Sequence, residues 1–275
     1  MNFDFCVLMS VYIKDNDQYF IEALESLSLQ TLKAQEVVII GDGPLRKSQL
    51  NIIESYKEKL NINFIQLEKN LGLANALKVG VEVANFDWIA RMDSDDICYP
   101  NRFELQTKCI KSNPNIDILG GNITEFQTLG ETLSERVVKE HHESIVDSSK
   151  FLSPMNHVTV MFKKEAVIKA GNYSQKYTMM EDYPLWMAMI GSGATFYNLQ
   201  QPLVDVRVEG LSSRRKGMKY AKTEAKMFID FYRRGYIKLH HLIINLAVRF
   251  PIRTIASPMI KYAYSLTRSK KNNVQ

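Results

Sequence analysis

Short apolar runs alternate with stretches of helical period through the first hundred positions. Phe5 to Val11 is an apolar run of strand length, and Asp17 to Leu29 sets Phe20, Ile21, Leu24 and Leu27 on one helical face. Glu36 to Ile40 predicts a second strand and Lys47 to Leu60 a helix; Ile62 to Leu67 is a third strand, Leu71 to Ala84 a helix, and Trp88 to Met92 a fourth strand. Alternation of this kind predicts a parallel sheet with helices on both faces. Ligands of such sheets bind beyond the carboxyl ends of the strands. Those ends carry Ser10-Val11-Tyr12, Gly41-Asp42-Gly43, Asn70-Leu71-Gly72 and the acidic run after Met92.

Past Arg102 to Ser112, which reads as a helix, the pattern loosens. Ile116 to Gly121 is strand-like, Glu125 to Lys139 is polar and irregular, and Val158 to Phe162 is again strand-like. Glu165 to Ala170 reads as a helix, Gly171-Asn172-Tyr173 as a turn, and Glu181 to Ile190 as a helix. Strands are expected near Thr195 to Leu199 and Leu203 to Val206, then a long basic helix from Ser213 to Tyr232. With no internal repeat and no low-complexity linker, the pattern favours one continuous domain and a tail.

The charge is divided along the chain. A net +5 over 275 residues conceals 16 Lys and Arg against 3 Asp and Glu from Arg207 onward, with 19 against 27 before it. Nucleic acid and anionic lipid both attract such a tail. Its apolar content favours lipid: Leu239, Leu242, Ile243, Leu246, Phe250, Ile252, Ile255, Met259 and Ile260 are interleaved with Arg249, Arg253, Lys261 and Arg268, as in a helix lying in a membrane interface. An amphipathic helix packed on its own domain gives the same period. No apolar run reaches the roughly 18 to 20 residues that span a bilayer. Pro251 and Pro258 are expected to break the segment into short helices. Cys6, Cys98 and Cys109 have neither metal nor redox spacing and read as inert thiols of a reducing compartment. The run from Phe5 follows Asp4 and no basic residue, which reads as a first strand rather than a signal peptide.

The densest candidate chemistry is Asp93-Ser94-Asp95-Asp96, three carboxylates at the end of an apolar strand. A solvated acidic turn is one reading. The other is a hard divalent cation, Mg²⁺ or Mn²⁺, held by one or two carboxylates and the phosphates of a nucleotide. A calcium loop beginning at Asp93 fails, because Cys98 replaces the required glycine and Pro100 interrupts it.

Leu8-Met-Ser-Val-Tyr12, Val37-Val-Ile-Ile-Gly-Asp-Gly43, Asn70-Leu-Gly-Leu-Ala74, Ala90-Arg-Met-Asp-Ser-Asp-Asp96 and Glu181-Asp182 resemble, in order and spacing, the motifs of family 2 glycosyltransferases. The resemblance covers roughly residues 5 to 215. It implies an α/β fold of the nucleotide-diphospho-sugar transferase type called GT-A, a mostly parallel central sheet flanked by helices, here followed by a basic amphipathic helical tail. It further implies that Val11 and Tyr12 bracket the base, Asp42 accepts from the uracil imide, Asn70 shapes the nucleotide pocket, and Arg91 reaches the phosphates or pairs with the carboxylates. Asp93 is then on the ribose and Asp95 on the metal, while Asp96 caps the following helix or stands behind the metal. Asp182 is the base that activates an acceptor hydroxyl. Inversion follows, giving a β-linked product from an α-linked donor. His157 and Glu181 fall on the acceptor side, and Arg207, with Arg214 and Arg215, in a basic lid over the diphosphate. The chain departs from the family at Gly41-Asp42-Gly43-Pro44, where a pair of aspartates followed by Gly-Ser is common.

The expectation is therefore a GT-A domain over 1–212, split into a nucleotide-binding half (1–97) and an acceptor half (98–212), with the tail at 213–275. Its expected activity is transfer of a hexose, galactose ahead of glucose, from a UDP-sugar to a polyprenyl-diphosphate-linked sugar in O-antigen or capsule assembly. Mn²⁺ or Mg²⁺ is the expected cofactor. An anionic membrane surface is the expected partner and nucleic acid is not, which places the protein peripherally on the cytoplasmic face of the inner membrane. A nucleotidyltransferase shares such a sheet and metal site, but Tyr12-Ile-Lys-Asp-Asn16 offers no glycine to cradle a triphosphate. A membrane-surface scaffold needs only the tail.

Overall fold

A computed structural model describes residues 3–177, 179–208 and 217–255. The first half is β1 (Cys6–Val11), α1 (Asp17–Ser28), β2 (Glu36–Gly41), α2 (Lys47–Leu60), β3 (Ile62–Gln66), α3 (Leu73–Val83) and β4 (Trp88–Met92). These strands pair in parallel in the order β3-β2-β1-β4. β1 is apolar on both faces because both are covered. Val7, Met9 and Val11 meet Phe20, Leu24 and Leu27 of α1, while Cys6 and Leu8 meet Ala76, Leu77 and Val81 of α3. The approach of α3 requires Gly80, since a Cβ there would lie 2.1 Å from Leu8 Cδ1. All these helices and strands fall within a few residues of the sequence reading.

The second half departs further from it. Here lie β5 (Ile97–Cys98), α4 (Arg102–Ser112), β6 (Ile118–Phe126), β7 (Thr132–Arg136), α5 (His142–Ser149), a 3-10 turn (His157–Thr159), β8 (Met161–Lys163), α6 (Lys164–Lys169), α7 (Asp182–Gly191) and β9 (Phe196–Arg207). The sheet continues β4-β8-β6-β9-β5, with β7 on the side of β6. The two expected strands at 195–199 and 203–206 are one, β9, whose register against β6 shifts between Gly121 and Ile123. The polar Gln200-Gln201-Pro202 reads locally as a break, but irregular pairing takes up the extra residues. The stretch 125–139 is not irregular throughout. It supplies β7, held to β6 by ladder pairs and by Ser134 Oγ donating to Glu125 at 2.5 Å. Val158 to Phe162 is a turn followed by the start of β8, and α5 had no counterpart in the sequence reading.

α8 (Met218–Arg233) and α9 (Leu239–Ile255) complete the described chain. Met227, Phe228, Phe231, Ile237 and Leu242 pack on Tyr183 and Met187 of α7. Residues 213–216 of the expected basic helix, and Pro258, lie outside the described residues. Pro251 does not end α9 as expected. The carbonyl it leaves without a helical donor belongs to Ala247, on the exposed side where water serves.

Candidate active site

The carboxyl ends of β1, β2 and β4 lie side by side, so the segments that follow them converge. Val11 O accepts from Asp42 N at 2.8 Å, joining the first two ends. The chain then turns at Tyr12 to Asp15. Tyr12 N donates to Asp15 Oδ2 at 3.0 Å, and Gln49 Nε2 donates to Tyr12 O at 2.9 Å. The backbone of Tyr12 is fixed while its side chain stays exposed, as a stacking platform requires.

Asp42 is buried, and both its oxygens are engaged. Oδ1 accepts from Leu71 N at 2.8 Å and Oδ2 from Gly72 N at 2.9 Å. The residue expected on the base therefore fastens the 70–72 loop at the head of α3, with only its remaining lone pairs free for a ligand. Gly43 next to it has φ +87, and a Cβ there would stand 2.6 Å from Asn70 N, so the loop closes onto bare backbone. Asn70 is exposed beside it.

At the end of β4, Arg91 is buried and donates from Nη2 to Asp93 Oδ1. Burial opposes the charge of Arg91, but Asp93 outweighs it and keeps the guanidinium firmly cationic. Ligand oxygens of Asp93, Asp95 and Asp96 all lie within 4.8 Å of one another. Ser94 Oγ between them donates to Asp15 Oδ2 at 2.9 Å, bringing a fourth carboxylate alongside. Desolvation, helped by Asp93, pushes Asp15 up to about 6; desolvation, then Asp93 and Asp15, does the same to Asp95, although its side chain reaches solvent. Asp96 is buried and held well above the ordinary carboxylate range by burial and by Asp93 and Asp95. Carboxylates that crowd one another are short of positive charge, and hard oxygen donors suit a divalent cation. The donor set fits one: Asp93 is engaged by Arg91 and Asp96 by the backbone N–H of Arg207, while the exposed Asp95 carboxylate is met by its own backbone N–H.

Asp96 does not cap α4, whose N-cap is Asn101. Its Oδ1 accepts from Arg207 N at 2.9 Å, tying β4 to β9. Arg207, expected in a lid, is held at the end of β9 against the acidic loop, its Nε donating to Asp95 O at 3.2 Å. Its side chain pairs with Glu22 at 2.6 Å and lies over the rings of Tyr19 and Phe126 at 3.7 and 4.6 Å, almost fully buried. The lid expectation for Arg214 and Arg215 lies outside the described residues.

On the acceptor side, α7 begins at Asp182 with Glu181 as its N-cap residue. The positive end of a helix steadies a carboxylate there. Asp182 Oδ2 accepts from Ser153 Oγ at 3.2 Å. Burial and the charge of Asp182 push Glu181 up to about 7, with Arg91 opposing and Asp93 adding to the shift. His157 Nε2 meets Tyr173 OH at 2.8 Å, edge-on to Trp186. Burial and Arg91 hold its ring well below the usual histidine range, so it is neutral. The charge of Arg91 is thus felt by Asp95, Asp96, Glu181 and His157 alike. Asp15, Ser94, Ser153 and Tyr173 were not singled out from sequence. Each stands outside the short motifs or on a loop whose partner is remote in the chain.

A mostly parallel sheet with an acidic cluster at its carboxyl edge, facing a carboxylate pair at a helix start, defines a sugar-nucleotide transferase of the GT-A kind. Residues 6–169 match the family described as Glycosyl transferase family 2. The chain is 37% identical over 263 residues to the Escherichia coli UDP-Gal:alpha-D-GlcNAc-diphosphoundecaprenol beta-1,3-galactosyltransferase, covering 94% of each. It is 34% identical to the amylovoran biosynthesis glycosyltransferase AmsE of Erwinia amylovora, over 91% of this chain and 96% of that one. Among solved structures, S. aureus TarS 1-349 in complex with UDP-GlcNAc superposes with a TM-score of 0.67 at 19% identity, covering 91% of this chain and 72% of that chain; it shares the fold. The protein belongs to glycosyl transferase family 2 and is a glycosyltransferase.

Proposed function

We propose that the protein transfers a hexose, galactose ahead of glucose, from a UDP-sugar to a polyprenyl-diphosphate-linked sugar, with inversion. One observation carries this reading. The Asp93–Asp95–Asp96 cluster and Glu181 lie within the field of one buried arginine, Arg91, and Asp182 stands beside Glu181 at the start of α7. That arrangement separates a site for a nucleoside diphosphate from a base for an acceptor. The full-length similarity to the E. coli galactosyltransferase supports both the donor and the lipid-linked acceptor.

In this reading Val11 and the Tyr12 ring receive the uracil, and Asp42, by holding the Asn70–Gly72 loop, shapes the pocket wall. Asp93 meets the ribose from its contact with Arg91. Asp95 would hold a divalent cation, Mn²⁺ or Mg²⁺, which would supply positive charge to the diphosphate leaving group. Asp182, steadied by Ser153, takes the proton of the acceptor hydroxyl as its oxygen bonds to the anomeric carbon. The bond from that carbon to the diphosphate oxygen breaks, and UDP leaves with the electron pair. Glu181 and neutral His157 line the acceptor side. No helix among the described residues is long and apolar enough to cross a membrane. We place the protein peripherally on the cytoplasmic face of the inner membrane, in O-antigen or capsule assembly, with 1–212 as the catalytic domain and 213–275 as its membrane-facing tail.

The deciding experiment is nucleoside diphosphate release from a panel of sugar nucleotides, with Mn²⁺ or chelator, with and without a synthetic N-acetylhexosamine-diphosphate-lipid. Metal-dependent release from one UDP-hexose, stimulated by that acceptor, is the expected result. Release from a purine sugar nucleotide alone, or stimulation by a free sugar and not by the lipid-linked one, overturns it.

A further inference from the structure

α9 turns Asn245, Arg249 and Arg253 into the protein beside Leu242 and Leu246, while His240 is exposed near its start. Asn245 is buried and donates to Lys150 O at 2.9 Å, and Arg249 and Arg253 pair with buried Glu224 of α8 at 2.7 and 3.0 Å. Its outer side is apolar: Leu239, Ile243, Ile244, Val248 and Phe250 are 53, 57, 46, 53 and 36% exposed. A surface helix ordinarily turns polar side chains to water, and an apolar patch of this kind marks an interaction surface.

Two neighbours extend the patch. Phe151 and Leu152 are exposed on the loop after α5, and that loop is fastened to α9. The Phe151 ring stands edge-on to His241 at 5.2 Å, and Arg249 donates to Phe151 O. The next residue, Ser153, is the one that donates to Asp182. Alongside, α8 exposes Lys219, Lys222 and Lys226, spaced on one helical face. The acids of α8, Glu224 and Asp230, are both in ion pairs, and α9 has none. The chain after α9 adds Lys261, Arg268, Lys270 and Lys271 without an acid.

We infer that the outer face of α9, together with Phe151 and Leu152, is the surface on which the protein lies against an anionic bilayer, the helix axis in the plane of the interface. The apolar side chains enter the headgroup boundary, and the lysines of α8 meet anionic lipid. A second copy would bring two lysine stripes together, whereas an anionic bilayer satisfies the apolar face and the cations at once. The inference rests on the membrane-associated reading above and gives it a face and a direction. The Ser153–Asp182 contact is held next to the bilayer, where an acceptor with a lipid tail presents its sugar.

The test uses the full chain with phosphatidylglycerol-rich vesicles, against phosphatidylcholine vesicles, without donor or acceptor. Failure of the transferase reading therefore leaves the result intact, and the converse also holds. The wild type is expected to float with the anionic vesicles. Ile243→Glu with Val248→Glu is expected to lower partitioning by about tenfold or more, with an unchanged circular dichroism spectrum. Val248→Trp, which does not depend on that variant folding, is expected to be quenched by brominated acyl chains. Three results overturn the inference: flotation of the double variant like the wild type, absence of quenching at Trp, or a wild-type dimer that the double variant dissociates. In the Val248→Trp variant, emission added over that of the buried Trp88 and Trp186 that is blue-shifted without vesicles, and shifts to the red on deleting residues 256–275, also overturns it by showing the chain covering its own face.

Discussion

Ser153 Oγ donates to Asp182 Oδ2 at 3.2 Å, joining a loop of the acceptor half to the first residue of α7. The loop is itself fastened, since Arg136 donates to Ser153 O at 3.0 Å and Asn245 to Lys150 O at 2.9 Å. One oxygen of Asp182 is thereby oriented. Asp182→Asn is expected to lower kcat by about 10² to 10⁴ with donor binding unchanged, the contribution of a positioned base. Ser153→Ala should cost only a few-fold in kcat. Steady-state kinetics with UDP release as the readout, beside calorimetric UDP binding, checks both.

The cation site gives a separate expectation. Asp95→Asn should lower kcat/KM by about two to three orders of magnitude, several kcal/mol at the leaving group. It should also weaken Mn²⁺-dependent UDP binding in calorimetry, while metal-independent binding of uridine stays as in the wild type.

Gly43 and Asp42 act on one loop by different means. A methyl at Gly43 would add strain at φ +87 and a clash with Asn70 N, a cost of about 1–3 kcal/mol. Asp42→Ala leaves two backbone N–H groups without their acceptor, about 1–3 kcal/mol if they stay buried. Both variants are expected to raise the KM for the donor more than they change kcat, measured over a donor titration.

Arg207→Ala should be a stability variant. It removes the partner of Glu22 and the cation lying over Tyr19 and Phe126, on the order of 2 kcal/mol. Thermal denaturation should show a lowered Tm, whether or not nucleotide is present.

The α8–α9 hairpin should respond to acid. Burial alone would raise the pKa of Glu224, but the hydrogen bond from Arg253 and the charges of Arg249 and Arg253 outweigh it and hold the group below its usual value. A depressed folded-state pKa contributes stability that is present above the ordinary value of 4.5 and is lost as pH falls through the folded value. Glu224→Gln should therefore destabilise by about 3 kcal/mol at neutral pH, and the Tm gap to wild type should close below pH 4.5. Denaturation scans of both proteins from pH 7 to about 3 report it.

The first hundred residues were legible because their information is local. A strand buried on both faces needs an apolar run such as Val37 to Ile40, and a helix covering it needs an apolar stripe such as Phe20, Leu24 and Leu27. Both are patterns within one segment. The parallel sheet and the convergence of its carboxyl ends followed from the order of the elements, and the family from the resemblance of short contiguous motifs to those of family 2 glycosyltransferases. The second half was less legible because its strands are defined by partners remote in the chain. β9 is continuous only because β6 pairs with it through a shifted register, and β7 exists only against β6.

Tertiary structure alone decided what each polar side chain touches. Asp42 reads in sequence as a turn residue or a base contact, yet two N–H groups 29 and 30 positions away claim its oxygens. Arg207 reads as a lid cation, yet Glu22, 185 positions earlier, pairs with it and Tyr19 lies beneath it. Asp15 reads as a loop residue until Ser94 binds it. α9 shows an amphipathic period in sequence, but which side faces water cannot be read from the period. Glu224, 25 residues before Arg249, draws the arginines inward beside Leu242, and Leu239, Ile243, Ile244 and Val248 are left outside. Backbone conformation and apolar burial are set by near neighbours and period. Hydrogen bonds and ion pairs act over about 3 Å, so their partners are fixed only once the fold has brought distant residues together.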